Sequence, residues 1–235
     1  MKNTVVVFAR APRLGTVKRR LARDLGARSA LRFHLATMTT LLRRLAADRR
    51  FRTVLAVTPD GARFASGFSG PRLDQGRGDI GKRMDRVFRR FRRGRVAIIG
   101  TDIPHAGASD IVAAFCALGR AAAVFGPATD GGYWLVGMGP RRPANPFAGV
   151  RWSSEYALAD TLRNFRAHGI AFLRLLQDVD NAEDFRGLSQ NRPNLVATHG
   201  TVIDTLDREE ASNGRIGMVA RRGDLPDLPP QLFRQ

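Results

Sequence analysis

Five short stretches of the sequence carry residue types that chemistry needs. The first is Phe8-Ala9-Arg10-Ala11-Pro12-Arg13-Leu14-Gly15-Thr16-Val17-Lys18-Arg19-Arg20-Leu21. An apolar run enters a loop with Pro12 and Gly15, then a helical pattern whose first turn holds Lys18, Arg19 and Arg20. Backbone N–H groups at a helix start favour an anion. Lys18 adds a point charge and Arg20 a planar fork that fits phosphate oxygens. With a single glycine the stretch is neither a Walker A loop nor G-x-G-x-x-G, and an ordinary solvated basic loop is the bland alternative. The second stretch is Gly100-Thr101-Asp102-Ile103-Pro104, directly after the apolar run 96–99. A carboxylate just past a buried strand is well placed to hold Mg²⁺ or Mn²⁺ bridging phosphate oxygens; a turn-forming Asp is the alternative.

The third stretch, Gly126-Pro127-Ala128-Thr129-Asp130-Gly131-Gly132-Tyr133-Trp134, contains paired glycines that permit positive φ and close approach to a ligand. Asp130 can accept a hydrogen bond from a hydroxyl or act as a general base, and Tyr133 and Trp134 can stack on a ring. The competing reading is a tight turn with both aromatics entering the core. In the fourth, Asp178-Val179-Asp180-Asn181-Ala182-Glu183-Asp184, Asp180 is either a second metal ligand or the N-cap of a short helix with Glu183 completing a capping box. The weakest, Gln75-Gly76-Arg77-Gly78-Asp79-Ile80-Gly81, opens a helix and can contact base or ribose.

These stretches hang on an alternation of β-rich and helical patterns. Strands are predicted over 4–9, 51–58, 96–99 and 121–125, with weaker ones over 133–136 and 170–175. Helices are predicted over 17–25, 29–47, 79–91, 109–118 and 153–168, the last with Ser153 or Ser154 as N-cap, and a short one begins at 182–185. The order βαβα implies a mainly parallel sheet with right-handed crossovers and a ligand at the strand C-termini. Periodicity fades after residue 190, so residues 1–190 read as one domain and 191–235 as a loosely packed or mobile extension.

Composition bounds the rest. The 43% hydrophobic and 26% charged content suits one good-sized globular core. The longest apolar runs are too short to cross a bilayer, and the N-terminus does not read as a signal peptide. Cys116, the single cysteine, cannot form an internal disulfide; it falls in an apolar helical pattern and is expected in the core, with the cytoplasm as compartment. No histidine has a Cys or His partner at zinc spacing. The formal charge is +18, and it is lopsided: residues 1–100 hold 25 Lys and Arg against six Asp, while the remainder is nearly neutral. The front half therefore attracts anions, whether free nucleotides, nucleic acid or anionic lipid. An arginine-rich nucleic-acid binder is a distant third reading, because no aromatic–basic platform or docking motif accompanies the charge.

As a set, the motifs resemble a bacterial family of GT-A-like proteins within the nucleotide-diphospho-sugar transferase superfamily. Its members read F-A-[KR]-x-P-x-x-G-x-V-K-x-R-L, Q-G-x-G-D-L-G-x-R-M, G-T-D-x-P, G-P-x-x-D-G-G-Y-x-L-[IV]-G, W-S and D-[VI]-D-x-x-E-D. This chain supplies them in order between Phe8 and Asp184, with Trp152-Ser153 as the W-S pair. The resemblance implies a single α/β, GT-A (Rossmann-like) domain with a mainly parallel central sheet flanked by helices. It implies that Ala9, Arg10, Pro12, Gly15, Lys18, Arg20, Gly76, Gly78, Asp79 and Thr101 bind a nucleotide. Asp102 and Asp180 would hold a divalent cation, Mg²⁺ or Mn²⁺, and Asp130, Gly131, Gly132, Tyr133 and Trp134 would face a small-molecule acceptor. Lys18 and Asp130 would carry catalysis. Members are commonly labelled glycosyltransferases, some linked to arsenosugar formation. Fold relatives include nucleotidyltransferases such as phospholactate guanylyltransferase, so a nucleotide-sugar donor is the first expectation and an NTP with pyrophosphate release the second. Thr101-Asp102 stands where many metal-dependent glycosyltransferases carry Asp-x-Asp, which leaves metal dependence a hypothesis.

Overall fold

Val5, Val6, Val7 and Phe8 form an unbroken apolar run, and such a run makes a strand only where both sheet faces are covered. That strand, β1 (Thr4–Arg10), lies inside a seven-stranded sheet with order β3-β2-β1-β4-β6-β5-β7. The other strands are β2 (Arg52–Thr58), β3 (Arg72–Asp74), β4 (Val96–Ile99), β5 (Ala123–Pro127), β6 (Tyr133–Met138) and β7 (Ile170–Phe172). The computed structural model describes residues 2–179 and 181–190, so the extension over 191–235 and Asp180 lie outside the described residues. Every strand pairing is parallel except those of β6, which runs antiparallel between β4 and β5. The sheet is thus mainly parallel, as expected, with one reversed strand delivered by the Gly131-Gly132 turn.

Side chains alternate across the sheet with the strand period of two. Val5, Val7, Leu55, Ala97 and Ile99 face a core closed by α2 (Ala27–Ala47) and α4 (Ala108–Ala117). Val6, Phe8, Val54, Val96 and Ile98 face a second core closed by α3 (Ile80–Arg90) and α5 (Ala157–Arg163). The helices α1 (Arg19–Leu25) and α6 (Ala182–Gln190) lie beside α2.

Two expectations change. The helix predicted over 153–168 shrinks to α5, with turns over 154–156 and 164–167 on either side and Ser153 at φ +59 outside it. Neither serine caps it; Ser154 Oγ instead donates to the Arg151 carbonyl at 2.7 Å and accepts from Tyr156 N at 3.3 Å. The N-cap reading of Asp180 lies outside the described residues; the capping box that is described joins Asn181 and Asp184. Asn181 Oδ1 accepts from the backbone N–H groups of Glu183 and Asp184, and Asp184 Oδ2 accepts from Asn181 N. Cys116, expected in the core, is exposed: the buried stripe of α4 runs through Ile111, Ala114, Phe115 and Leu118, and position 116 falls outside it.

Candidate active site

The register brings the functional loops to one edge. Val7 pairs with Ile99 and Ile99 with Leu135, so the C-terminal ends of β1 and β4 meet the N-terminal end of β6. Past β1, the Arg10 carbonyl accepts from His34 Nε2 at 3.0 Å, which fixes the strand exit against α2. The chain then turns at Gly15 (φ +73), where Thr16 N and Oγ1 both donate to the Arg13 carbonyl.

Lys18 precedes α1 with φ 46 and ψ 52, a left-handed conformation. Such a position costs a non-glycine residue on the order of 1–3 kcal/mol and persists only where its surroundings hold it. Its side chain is 4% exposed, and Nζ lies 3.0 Å from Oδ1 of the half-exposed Asp102. The loop after β1 is thereby tied to the loop after β4. Ser153 is the second non-glycine residue of positive φ among the described residues, and it too stands at this edge.

Beside the pair, on the α3–α5 face, a cavity of about 280 Å³ opens. Its apolar walls come from Phe8 and Ile98 on the sheet, Ile80 and Met84 on α3, and the rings of Tyr133 and Trp152. Those two rings meet nearly edge to face, with centroids 6.4 Å apart and planes at 72°. Asp102, Asp130 and Asp178 also line it, together with Ser153 and Ser154. Burial pushes the Tyr133 phenol far above the usual tyrosine range, so it stays protonated, with Thr161 Oγ1 at 3.5 Å.

Backbone contacts hold the carboxylates. Asp130 Oδ1 accepts from Gly132 N at 2.8 Å. Gly131, at φ +83, lets the turn sit against residue 155; a Cβ there would lie 2.2 Å from the Glu155 carbonyl oxygen. Leu158 N donates to the Gly131 carbonyl at 3.0 Å. Asp178 arrives on the segment after β7, where Leu176 N donates to Pro127 O and Val179 N donates to Asp102 O.

The Gly76–Asp79 stretch forms a neighbouring loop over the β2 end. Gln75 is buried, donates to the carbonyls of Ala9 and Ala56, and accepts from Arg83 Nη1. Arg86 donates to the carbonyls of Gln75 and Arg77, and a Cβ on Gly76 would collide with its guanidinium at 2.3 Å. Asp79 caps α3 by accepting from Lys82 N at 2.8 Å.

The two sets expected from the sequence stand differently to the cavity. Asp130, Gly132, Tyr133 and Trp134 line the cavity, whereas Ala9, Arg10, Pro12, Gly15, Lys18, Arg20, Gly76, Gly78, Asp79 and Thr101 do not. Asp102 lines the cavity and also meets Lys18. Thr101 is buried, and Arg20 is exposed on α1. Trp134 contributes to the lining, yet its ring packs in the opposite core and its indole N–H donates to the Arg174 carbonyl at 3.2 Å. Sequence reasoning left Ile80, Met84 and Trp152 out of the site and preferred Asp180 to Asp178. Trp152 had a signal in the W-S pair and Asp178 in the Asp-Val-Asp triplet. Ile80 and Met84 read only as the apolar face of a helix.

A mainly parallel seven-stranded sheet with one reversed strand and a cavity at its carboxyl edge is the α/β, Rossmann-like (GT-A-like) architecture that the motifs implied. Residues 41–154 match the family model described as "Uncharacterized protein conserved in bacteria (DUF2064)". A solved protein of Desulfovibrio desulfuricans G20, provisionally named a nucleotide-diphospho-sugar transferase, is 26% identical with TM-score 0.74, over 80% of this chain and 87% of that one. CMP:2-keto-3-deoxy-manno-octonic acid synthetase, solved with CTP, shares the fold at 10% identity and TM-score 0.51, over 81% of this chain and 98% of that one. So does 4-diphosphocytidyl-2C-methyl-D-erythritol synthase of Anaerococcus prevotii DSM 20548, at 9% identity and TM-score 0.50, over 81% and 99%. No curated protein matches the sequence.

Proposed function

We propose that the protein is a nucleotide-dependent transferase that moves a glycosyl group from a nucleotide-sugar donor to a hydroxyl acceptor. The observation that carries this reading is the Lys18–Asp102 pair at the boundary between the basic loop and the carboxylate-lined cavity. The donor's nucleotide lies over the loops 9–20 and 76–79, its diphosphate toward Lys18 and Arg20, and the acceptor hydroxyl near Asp130. Lys18 then engages the leaving diphosphate, whose charge grows as the bond to the sugar breaks, and this electrostatic stabilisation supplies most of the rate. The sugar–oxygen bond to the diphosphate breaks and its electron pair leaves on the diphosphate. The acceptor oxygen bonds to the anomeric carbon while its proton passes to Asp130.

A divalent cation suits the donor set. Asp102 and Asp178 offer hard carboxylate oxygens on one cavity, and Mg²⁺ is commonly held by one or two carboxylates plus substrate phosphates. Among the described residues no three His, Cys, Asp or Glu form a ready-made cage, so phosphate oxygens and water would complete the shell. Asp102 is the first ligand of this proposal and Asp178 the second, with Asp180 the alternative on sequence grounds; bound there, the cation would neutralise diphosphate charge.

Product analysis tests the reaction. A panel of nucleotide sugars with alcohol acceptors should release nucleoside diphosphate, and Lys18→Met should slow release by about 10²-fold or more. Pyrophosphate release from an NTP with a phosphorylated acceptor, and none of the former, would instead establish nucleotidyl transfer. Among the described residues no helix is long and apolar enough to cross a membrane.

A further inference from the structure

The cavity has a chemical character that the donor reading does not require. Resting on that reading, we infer that it is the acceptor subsite, and that it selects an uncharged alcohol carried on a single aromatic or aliphatic ring.

Size comes first. Ligand pockets that enclose whole drug-sized molecules run from roughly 300 to 1,000 Å³, whereas an apolar cavity of about 150 Å³ already holds benzene. At about 280 Å³ the space fits one substituted ring. None of the residues expected to bind the nucleotide lines it.

Wall chemistry comes second. Tyr133 and Trp152 form an aromatic corner, their planes at 72°, against which a bound ring can pack. The corner is built in. A Cβ on Gly81 would lie 2.6 Å from Trp152 Cζ2, so only glycine at that turn of α3 admits the indole. Tyr133 is wedged edge-on against Phe125, with centroids 5.6 Å apart. Ile80 and Met84 close the apolar side.

Charge comes third. Three carboxylates line the cavity, and among its described lining residues none is Lys, Arg or His. Lys18 offsets Asp102 from outside. A carboxylate or phosphate on the acceptor would meet like charge from Asp130, whereas a hydroxyl can donate its proton to it. In a cleft of intermediate dielectric, one such juxtaposition weakens binding by about tenfold or more.

The test uses the intact protein labelled with 5-fluorotryptophan, without added divalent ion. The chain has two tryptophans, Trp134 and Trp152, so ¹⁹F resonances report separately on the core ring and the cavity ring. Benzyl alcohol should shift the Trp152 resonance saturably and leave Trp134 unmoved; benzoate and benzyl phosphate should bind at least about tenfold more weakly. Ala157→Leu, which narrows the cavity, should abolish the benzyl alcohol shift. Ile80→Phe, at a half-buried wall position, does the same should the first variant fail to fold. Benzoate binding as well as the alcohol, a Trp152 resonance that never moves, or wild-type binding in the folded variants would overturn the inference. UDP, GDP, CDP and ADP titrated into the wild-type protein report on the donor separately: alcohol binding without any nucleotide binding refutes the donor reading and supports the cavity's selectivity.

Discussion

Lys18 and Asp102 are unequal partners, and that inequality is measurable. The lysine side chain is almost fully buried while the carboxylate is 48% exposed. Taking Lys18 away leaves a carboxylate that water can solvate; taking Asp102 away removes a partner from an ammonium that water barely reaches. Lys18→Met should therefore cost about 1 kcal/mol of stability or less, and Asp102→Ala about 2 kcal/mol. Urea denaturation of both variants checks the order, and both should lose turnover. Tyr133 gives a second prediction at this scale. Its phenol titrates far higher in the folded protein than in the unfolded chain. The neutral form thus stabilises the fold fully below the unfolded value near pH 10, and that contribution is lost as pH rises toward the folded value. Tyr133→Phe should make unfolding less sensitive to alkali between about pH 9 and 11, read by denaturation at a series of pH values.

At the scale of elements, the site depends on two loops locked together. Gly131 sits at positive φ against the backbone of residue 155, and no side chain fits between them. Gly131→Ala should destabilise the protein by about 2–4 kcal/mol and cost activity beyond that loss, seen as a lowered Tm with slow turnover well below it. The segment entering α5 is clamped by Asp160. Its carboxyl accepts from Arg151 and Arg163, and the hydrogen bonds from Arg151 hold it below the usual carboxylate range. The clamp is intact above the unfolded value near 3.9 and is lost as pH falls through the lower folded value. Asp160→Asn should flatten the acid limb of the stability curve. The strands β1, β2 and β4 were legible because continuous apolar runs in a doubly covered sheet leave no other choice. What escaped were β3, three residues whose side chains are exposed or half-buried, and the short α5, which gives way to turns over 154–156 and 164–167 although the apolar periodicity runs on. The site's polar loops were legible from Gly, Asp and Lys spacing. Its apolar walls were not, because Ile80 and Met84 look the same whether they face a core or a cavity.

Across the whole molecule, charge and topology point the same way. The excess of Lys and Arg lies in residues 1–100, which also supply the loops after β1 and β2 and the exposed arginines of α3. The cavity, by contrast, is lined by carboxylates. On the proposed reading, a polyanionic donor is drawn to the first surface and a neutral acceptor is left for the second. The most direct measurement is thermal unfolding of wild-type protein and Lys18→Met against nucleotides and nucleotide sugars, with and without Mg²⁺ or Mn²⁺. At about 100-fold excess over Kd, a ligand that binds only the folded state adds about 2.7 kcal/mol. For a chain of this length that raises Tm by about 5 °C or more. The account predicts such a shift for at least one nucleotide or nucleotide sugar in the wild type, and a much smaller one in Lys18→Met. No shift with any of them, or equal shifts in both proteins, would contradict it.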